Sequence, residues 1–176
     1  MEIKGYAKFD DKNNRKYRYL LRRKWDENLP QVTFLMLNPS TADDKKPDPT
    51  ITKCIELARS WNYGSLEVVN LFAYITPKRE KLLDEDDPVG PKNNLYIQSA
   101  AQRAESIIVA WGGGKFPKIK KRDEAVLHLI SCKTLYCLVD GISSDLTKDG
   151  HPRHPKPRRK PITGRTLLPK NGTSKK

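Results

Sequence analysis

The sequence has few cysteines and no long apolar run. Its three cysteines, Cys54, Cys132 and Cys137, are odd in number and match no disulfide framework. We therefore expect reduced, buried thiols and a cytoplasmic protein. No apolar run approaches the ~18 residues that span a bilayer, and the first ten residues lack the apolar segment of a secretory signal. These absences favour an intracellular protein over a secreted or membrane-embedded one.

Apolar and acidic residues are also scarce. The apolar fraction is 36%, and 34 Lys and Arg outnumber 21 Asp and Glu, which gives a net charge of +13. Residues 148–176 hold ten of these basic residues against Asp149 alone, so this segment carries +9 of the total. Such a segment either attracts polyanions or only solubilises the chain. We predict one domain over residues 1–155 and a flexible, basic, Pro-rich tail over 156–176.

The order of apolar runs predicts an α/β fold. Residues 6–9 and 17–23 flank a stretch of turn-forming residues and predict a β-hairpin. Continuous apolar runs at 32–37, 66–72, 106–111 and 134–139 are typical of strands that are buried on both faces. Helical patterns follow Asp48-Pro49, Pro91 and Pro117. We predict three α/β/α layers with a central, mainly parallel four-stranded sheet and the N-terminal β-hairpin.

In a parallel sheet, ligands bind beyond the carboxyl ends of the strands, so the residues there are the candidates. Small polar residues follow the first strand, and they suit either a ligand site or a helix cap. Asn70 interrupts the second strand, where it either ties loops together or reads a ligand edge. Phe72 and Tyr74 either stack on a flat ring or pack in the core. The residues after the first strand are Asn38, Pro39, Ser40, Thr41 and Asp43.

The third and fourth strands are followed by a glycine run and a histidine loop. Trp111 and Gly112 begin the glycine run, and Lys115 ends it where it could meet a phosphate. The P-loop spacing is lacking, so a flexible turn is the alternative. His151, Arg153 and His154 lie between prolines, which suits acid–base or electrostatic work. Their spacing matches no zinc site, and we predict no metal and no cofactor.

Two resemblances add to these patterns. The stretches LNPSTAD at 37–43 and VVNLFAY at 68–74 resemble the bacterial and phage family catalogued as domain-of-unknown-function 1643. The similarity extends over residues 17–155 but implies no settled activity. The chain also resembles the uracil-DNA glycosylase superfamily, through LNPS, VVN, VAWG and RHP in that order. In this resemblance Asn38 positions water, Asn70 reads the base, Trp111 belongs to the third motif and His154 stabilises the leaving base.

The sequence departs from that superfamily in two loops. The first loop has no Gly around Pro39, and the last reads His-Pro-Lys, without the Ser and the wedge Leu that help to flip a base out of duplex DNA. The resemblance therefore implies a free nucleotide, a single strand or a modified base as substrate.

These patterns predict a protein that acts on a nucleobase, a nucleotide or a nucleic acid. The leading hypothesis is a hydrolase of N-glycosidic bonds, in which Asn38 and Asp43 hold water and His154 with Arg153 stabilises the departing base. The alternative is a non-catalytic nucleic-acid-binding protein, or a nucleotide-binding accessory protein that uses residues 112–115. The oligomeric state stays open. The decisive geometric question is whether Asn38, Asn70, Trp111 and His154 share one pocket.

Overall fold

The computed structural model of the chain describes residues 2–10, 15–43, 45, 48–141, 146–156 and 161–169. These residues form seven strands and three α-helices, with short 3-10 helices at Arg79–Leu82 and Phe116–Lys121. The strands are β1 Lys4–Phe9, β2 Arg18–Lys24, β3 Gln31–Met36, β4 Ser65–Asn70, β5 Ser106–Val109, β6 Leu135–Val139 and β7 Gly164–Leu167. The helices are α1 Pro49–Ser60, α2 Asn93–Arg103 and α3 Arg122–Leu129.

The strands form one mixed sheet in the order β1-β2-β4-β3-β5-β6-β7. β3 pairs in parallel with β4 and β5, and β5 pairs in parallel with β6. β1, β2 and β7 join by antiparallel pairing. The α/β class is therefore confirmed. The predicted four-stranded sheet plus an N-terminal β-hairpin is not confirmed in that form, because all seven strands make one sheet and β2 of the hairpin pairs with β4 through Leu21 and Val68.

The seventh strand lies in the segment that we predicted as a flexible tail. β7 pairs with β6, with Cys137 opposite Thr166, and the nearby Ile162 is buried. Pairing satisfies the backbone groups at the edge of β6, and the apolar side chains around β7 add burial. The sheet thus continues beyond residue 155. Residues 157–160 and 170–176 of the predicted tail lie outside the described part of the chain.

Alternate residues of the central strands face opposite layers of helix. Phe34 of β3 belongs to a core cluster with Ile51 and Ala58 of α1. Its neighbour Leu35 belongs to a second cluster, which contains Ile97 of α2 and residues of α3. This alternation follows from the period of two along a strand. It explains why the central strands are continuously apolar in sequence, since both of their faces are covered.

The N-terminal end of α1 confirms the predicted helix start. One carboxylate oxygen of Asp48 accepts hydrogen bonds at 2.9 Å from the backbone N–H groups of Thr50 and Ile51, and Pro49 occupies the first helical position. Aspartate and proline suit these two positions because one supplies an acceptor and the other lacks a donor. This cap also places Asp48 beyond the carboxyl edge of the sheet, next to the loop that follows β3.

Two other predictions need correction. The helix expected from Pro117 begins as α3 at Arg122, because Lys120 and Lys121 have φ angles of 51° and 54° that interrupt helical geometry. Cys54 and Cys137 are buried thiols, but Cys132 is exposed, so the expectation of buried thiols is wrong for one of the three. Within the described ranges, no helix has both the length and the apolar character that crossing a membrane requires.

We predict that Gly64→Ala destabilises the fold. A Cβ at this position would overlap the carbonyl oxygen of Asp26 and lie 2.8 Å from Leu29 Cβ, so backbone must move. Overpacking of this kind costs about 1–3 kcal/mol, measurable as a lower urea midpoint. Gly164→Ala is the matched control, because its Cβ would meet Val139 at an ordinary 3.5 Å. Equal midpoints for the two variants would contradict the packing at Gly64.

Candidate functional site

A cleft of about 680 Å³ opens at the carboxyl edge of the parallel strands. This volume lies within the range of small-ligand sites. The loops after β3, β4 and β5 and the segment 147–156 line it. Asn38, Asn70, Trp111 and His154 all line this cleft, although they are far apart in sequence. The four residues that the sequence singled out thus share one cavity.

The other predicted site residues divide into two groups. Three of them line the cleft as well, namely Ser40, Gly112 and Arg153. Seven do not line it, namely Pro39, Thr41, Asp43, Phe72, Tyr74, Lys115 and His151.

Phe72 and Tyr74 lie in packed surroundings instead of offering a ring to the cleft. Phe72 is buried in the cluster beneath α2, and Tyr74 packs against that cluster while its backbone bridges to Tyr17. Asp43 is also elsewhere, because its carboxylate accepts from the Lys45 N–H and its carbonyl accepts from Arg23. The stacking and water-holding roles proposed for these three residues therefore have no place in the cleft.

Asn38 lies at the end of β3 with its amide held in one orientation. Its Nδ2 donates to the carbonyl oxygens of Pro39 at 2.9 Å and Thr76 at 2.8 Å. The Thr76 N–H in turn donates to the Pro39 carbonyl at 3.0 Å. These bonds use both N–H donors of the Asn38 amide. Its Oδ1 is the remaining side-chain atom that can accept a hydrogen bond, and Asn38 lines the cleft.

Asn70 ends β4 and has an unsatisfied donor. The residue is only 2% exposed, and its Nδ2 has no hydrogen-bond partner among the described residues. Its backbone carbonyl accepts from Asn93 Nδ2 at 3.0 Å, so the chain is fixed at this point. Buried polar groups are nearly always paired, and an exception that lines a cleft points to a missing ligand.

Trp111 provides a second donor of the same kind. It is 3% exposed, and its Nε1 also lacks a partner within the described part of the chain. The next residue, Gly112, has a φ of 82° and donates to the Pro152 carbonyl at 3.0 Å, which brings the strand end against the histidine loop. Two buried N–H donors, at the ends of the two strands that flank β3, therefore line one cavity, and a ligand with acceptor atoms could pair with both.

His154 is a neutral donor in the cleft. Burial lowers its pKa, and the positive charge of Arg79 lowers it further, while Asp48 acts in the opposite direction. Its Nδ1 accepts from the Lys156 N–H at 3.1 Å. In the neutral ring the proton must then sit on Nε2. His151 is buried against Thr147 instead, where its backbone N–H donates to Oγ1 at 3.1 Å.

The comparisons with known proteins place the chain in a family. The profile described as "Protein of unknown function (DUF1643)" matches residues 18–156, which is most of the chain. The chain belongs to the DUF1643 family. No curated protein and no solved structure matches it.

The cleft of this DUF1643 chain is more basic than the strand ends alone predict. Cationic side chains outnumber acidic ones by five to two among its lining residues. Sequence reasoning missed most of these charges because they lie outside the ends of the parallel strands. One signal in the sequence was Arg18 within the apolar run YRYLL, since an arginine is rarely buried unless it is paired. The cations are Arg18, Lys78, Arg79, Arg153 and Lys156, and the acids are Asp48 and Glu80.

The described residues contain no set of side chains arranged to bind a metal ion. No group of three or more His, Cys, Asp or Glu side chains among them is arranged to hold an ion. The cleft presents amides, an indole N–H, a histidine and several charged side chains.

We predict that the free energy of unfolding falls as the pH drops through about 6.5, the ordinary pKa of histidine. Burial lowers the pKa of both His151 and His154 in the folded chain. Below that pH the unfolded chain binds protons that the folded chain does not, so acid favours unfolding. Urea titrations between pH 8 and pH 5.5 should show that the free energy of unfolding falls less steeply with pH in the double variant His151→Gln/His154→Gln than in the wild type.

His128→Gln is the control for this measurement, because His128 is exposed on α3. It should keep the pH dependence of the wild type. An unchanged slope in the double variant would show that the two loop histidines do not set the acid sensitivity.

Proposed function

We propose that this chain hydrolyses the N-glycosidic bond of a nucleotide-like substrate whose base lies in the cleft. The observation that carries the proposal is the presence of two buried, unpartnered donors, Asn70 Nδ2 and Trp111 Nε1, in the cavity that His154 also lines. Unpaired buried donors cost about 1–3 kcal/mol each, and a ligand that pairs them recovers this cost. A nucleobase offers carbonyl oxygens and ring nitrogens as acceptors on a flat edge.

Recognition of the base would rest on the ends of β4 and β5. Asn70 can donate through Nδ2 and accept through Oδ1, which suits the edge of a base. Trp111 adds one donor of fixed direction, since the indole is buried. A site built to pair with polar atoms discriminates strongly against analogues that lack them, because the donors would again be left unpaired.

Hydrolysis needs a positioned water and a stabilised leaving base. The Oδ1 of Asn38, which has no donor among the described residues, can accept from the attacking water, and Asp48 takes the place that we had assigned to Asp43, because Asp48 lines the cleft. The water oxygen bonds to the sugar carbon, and the C–N electron pair leaves with the base. Nε2–H of His154 would hydrogen-bond to the developing anion, and the proton lost by the water ends on the base.

The arrangement of the sheet supports the same proposal. The parallel strands run in the spatial order β4-β3-β5-β6, and α1 packs on the opposite face from α2 and α3. We propose that this arrangement corresponds to that of uracil-DNA glycosylases, with LNPS, VVN, VAWG and RHP at matching strand ends. Because the wedge residue of that superfamily is lacking, the proposed substrates are free nucleotides or single strands, and duplex DNA is not among them.

The test measures base release by chromatography from nucleosides, nucleotides and single-stranded oligonucleotides with common and modified bases. Trp111→Phe keeps the buried ring but removes Nε1–H, so the rate of base release at low substrate concentration should fall about three- to tenfold. Asn70→Asp replaces a donor with an acceptor and a charge, and should lower the same rate about a hundredfold. Trp61→Phe and Asn28→Asp are matched controls, because both residues lie outside the cleft.

The rival function gives a different pattern. A non-catalytic nucleic-acid-binding protein would release no base, and its binding would survive Asn38→Ala and His154→Ala. Its affinity would depend steeply on salt and would be lost when the Lys and Arg residues of 158–160 and 170–176 are replaced by Gln, a change that keeps β7, whereas deletion of residues 156–176 would remove that strand. Observation of that pattern would replace the hydrolase proposal with the binding one.

A further inference from the structure

Arg18 is a buried cation that forms no ion pair within the described part of the chain. It lies on β2, is 3% exposed and lines the cleft. Its Nη1 donates to the Ala42 carbonyl, and its Nε has no hydrogen-bond partner among the described residues. Of the five N–H donors of the guanidinium, Nε–H is thus one that has no acceptor within the described ranges.

The charge of Arg18 persists despite its burial. Burial lowers its pKa to about 10, while Asp48 and Asp43 act in the opposite direction. It therefore stays protonated at neutral pH. A buried charge is costly unless it is paired, and the cleft is the side from which a partner can arrive. The Nε–H of Arg18 can therefore pair with an anion that enters the cleft. The fork geometry of a guanidinium matches phosphate oxygens.

Further cations surround the opening of the same cleft. Lys78 and Arg79 stand where the loop after β4 enters a 3-10 helix, and Lys156 follows the histidine loop. The Arg79 guanidinium lies 5.5 Å from the centroid of the Phe116 ring, which supports its position. Asp48 partly offsets this charge, but one of its oxygens already caps α1.

We infer that Arg18 and Arg79 form a phosphate subsite in the cleft, so that the substrate of the proposed reaction is a phosphorylated nucleotide and not a free nucleoside. This inference rests on the proposed function for the identity of the base-binding part. The phosphate is either that of a free nucleotide or that of a short single strand, since both present the same oxygens.

The experiment compares calorimetric affinities for a nucleoside, its 5′-monophosphate and a trinucleotide with the same base, and for inorganic phosphate. The monophosphate or the trinucleotide should bind at least about tenfold more tightly than the nucleoside. Arg18→Met should abolish that gain and leave nucleoside affinity unchanged. Arg23→Met is its control, because Arg23 is equally buried on β2 and bonds to the neighbouring Asp43 carbonyl outside the cleft.

Because Arg18→Met changes a buried residue and can impair folding, a second variant changes the exposed Arg79. Arg79→Gln should reduce the phosphate gain about threefold or more. Arg59→Gln is matched to it, because Arg59 is also exposed and lies 5.3 Å from the centroid of the Trp25 ring, outside the cleft. A larger gain for the trinucleotide than for the monophosphate would assign the subsite to a strand, and the reverse would assign it to a free nucleotide.

The outcomes separate the two proposals. Equal affinities for nucleoside and nucleotides, unchanged in both arginine variants, would overturn the phosphate subsite while base release could still support the hydrolase. Binding of inorganic phosphate that depends on Arg18 and Arg79, without selective binding of any base, would support the anion site and overturn the proposed function. A phosphate gain equally reduced in Arg23→Met or Arg59→Gln would also overturn the subsite.

Discussion

The end of β4 depends on donors supplied by side chains of α2 and α3. The Asn70 and Leu71 carbonyls both accept from Asn93 Nδ2 at 3.0 Å, and the Leu71 carbonyl also accepts from Arg122 Nε at 2.7 Å. Buried carbonyls require such partners once a strand leaves its ladder. Because Asn93 and Arg122 meet this requirement, the backbone at Asn70 is fixed without help from its own amide. The amide nitrogen of Asn70 can then remain unpaired in the cleft.

Three buried donor groups in the cleft share this unsatisfied state. Asn70 Nδ2, Trp111 Nε1 and Arg18 Nε all lack partners among the described residues, and they come from three different strands or strand ends. Other buried polar atoms without a partner among the described residues, such as Tyr19 Oη and Asn93 Oδ1, lie outside the cleft, but these three line it, and each unpaired group lowers stability by about 1–3 kcal/mol. Their common location is better explained by a ligand that pairs them, and such a ligand would also stabilise the folded state by mass action.

The sequence was sufficient to predict the central strands and the start of α1, but not the position of every side chain at the strand ends. Apolar runs predicted β3 to β6, and Asp48-Pro49 predicted the start of α1, because burial and capping are local signals. The placement of Phe72 was not predictable from alternation. β4 ends at Asn70, after which Leu71 and Phe72 both enter the cluster beneath α2. The order of the strands, and hence the arrival of Arg18 at the cleft, depends on long-range pairing that no local pattern records.

Burial lowers the pKa of both the His154 imidazole and the Arg18 guanidinium, but it leaves the two side chains in different charge states at neutral pH. It lowers the pKa of His154 from an ordinary value near neutrality, so the imidazole becomes a neutral donor. It also lowers the pKa of Arg18, but only to about 10, so the guanidinium keeps its charge. Burial in one cleft therefore leaves a neutral hydrogen-bond donor and a lasting cation among the lining residues. A leaving base is best stabilised by the first and a phosphate by the second, which is the combination that a nucleotide requires.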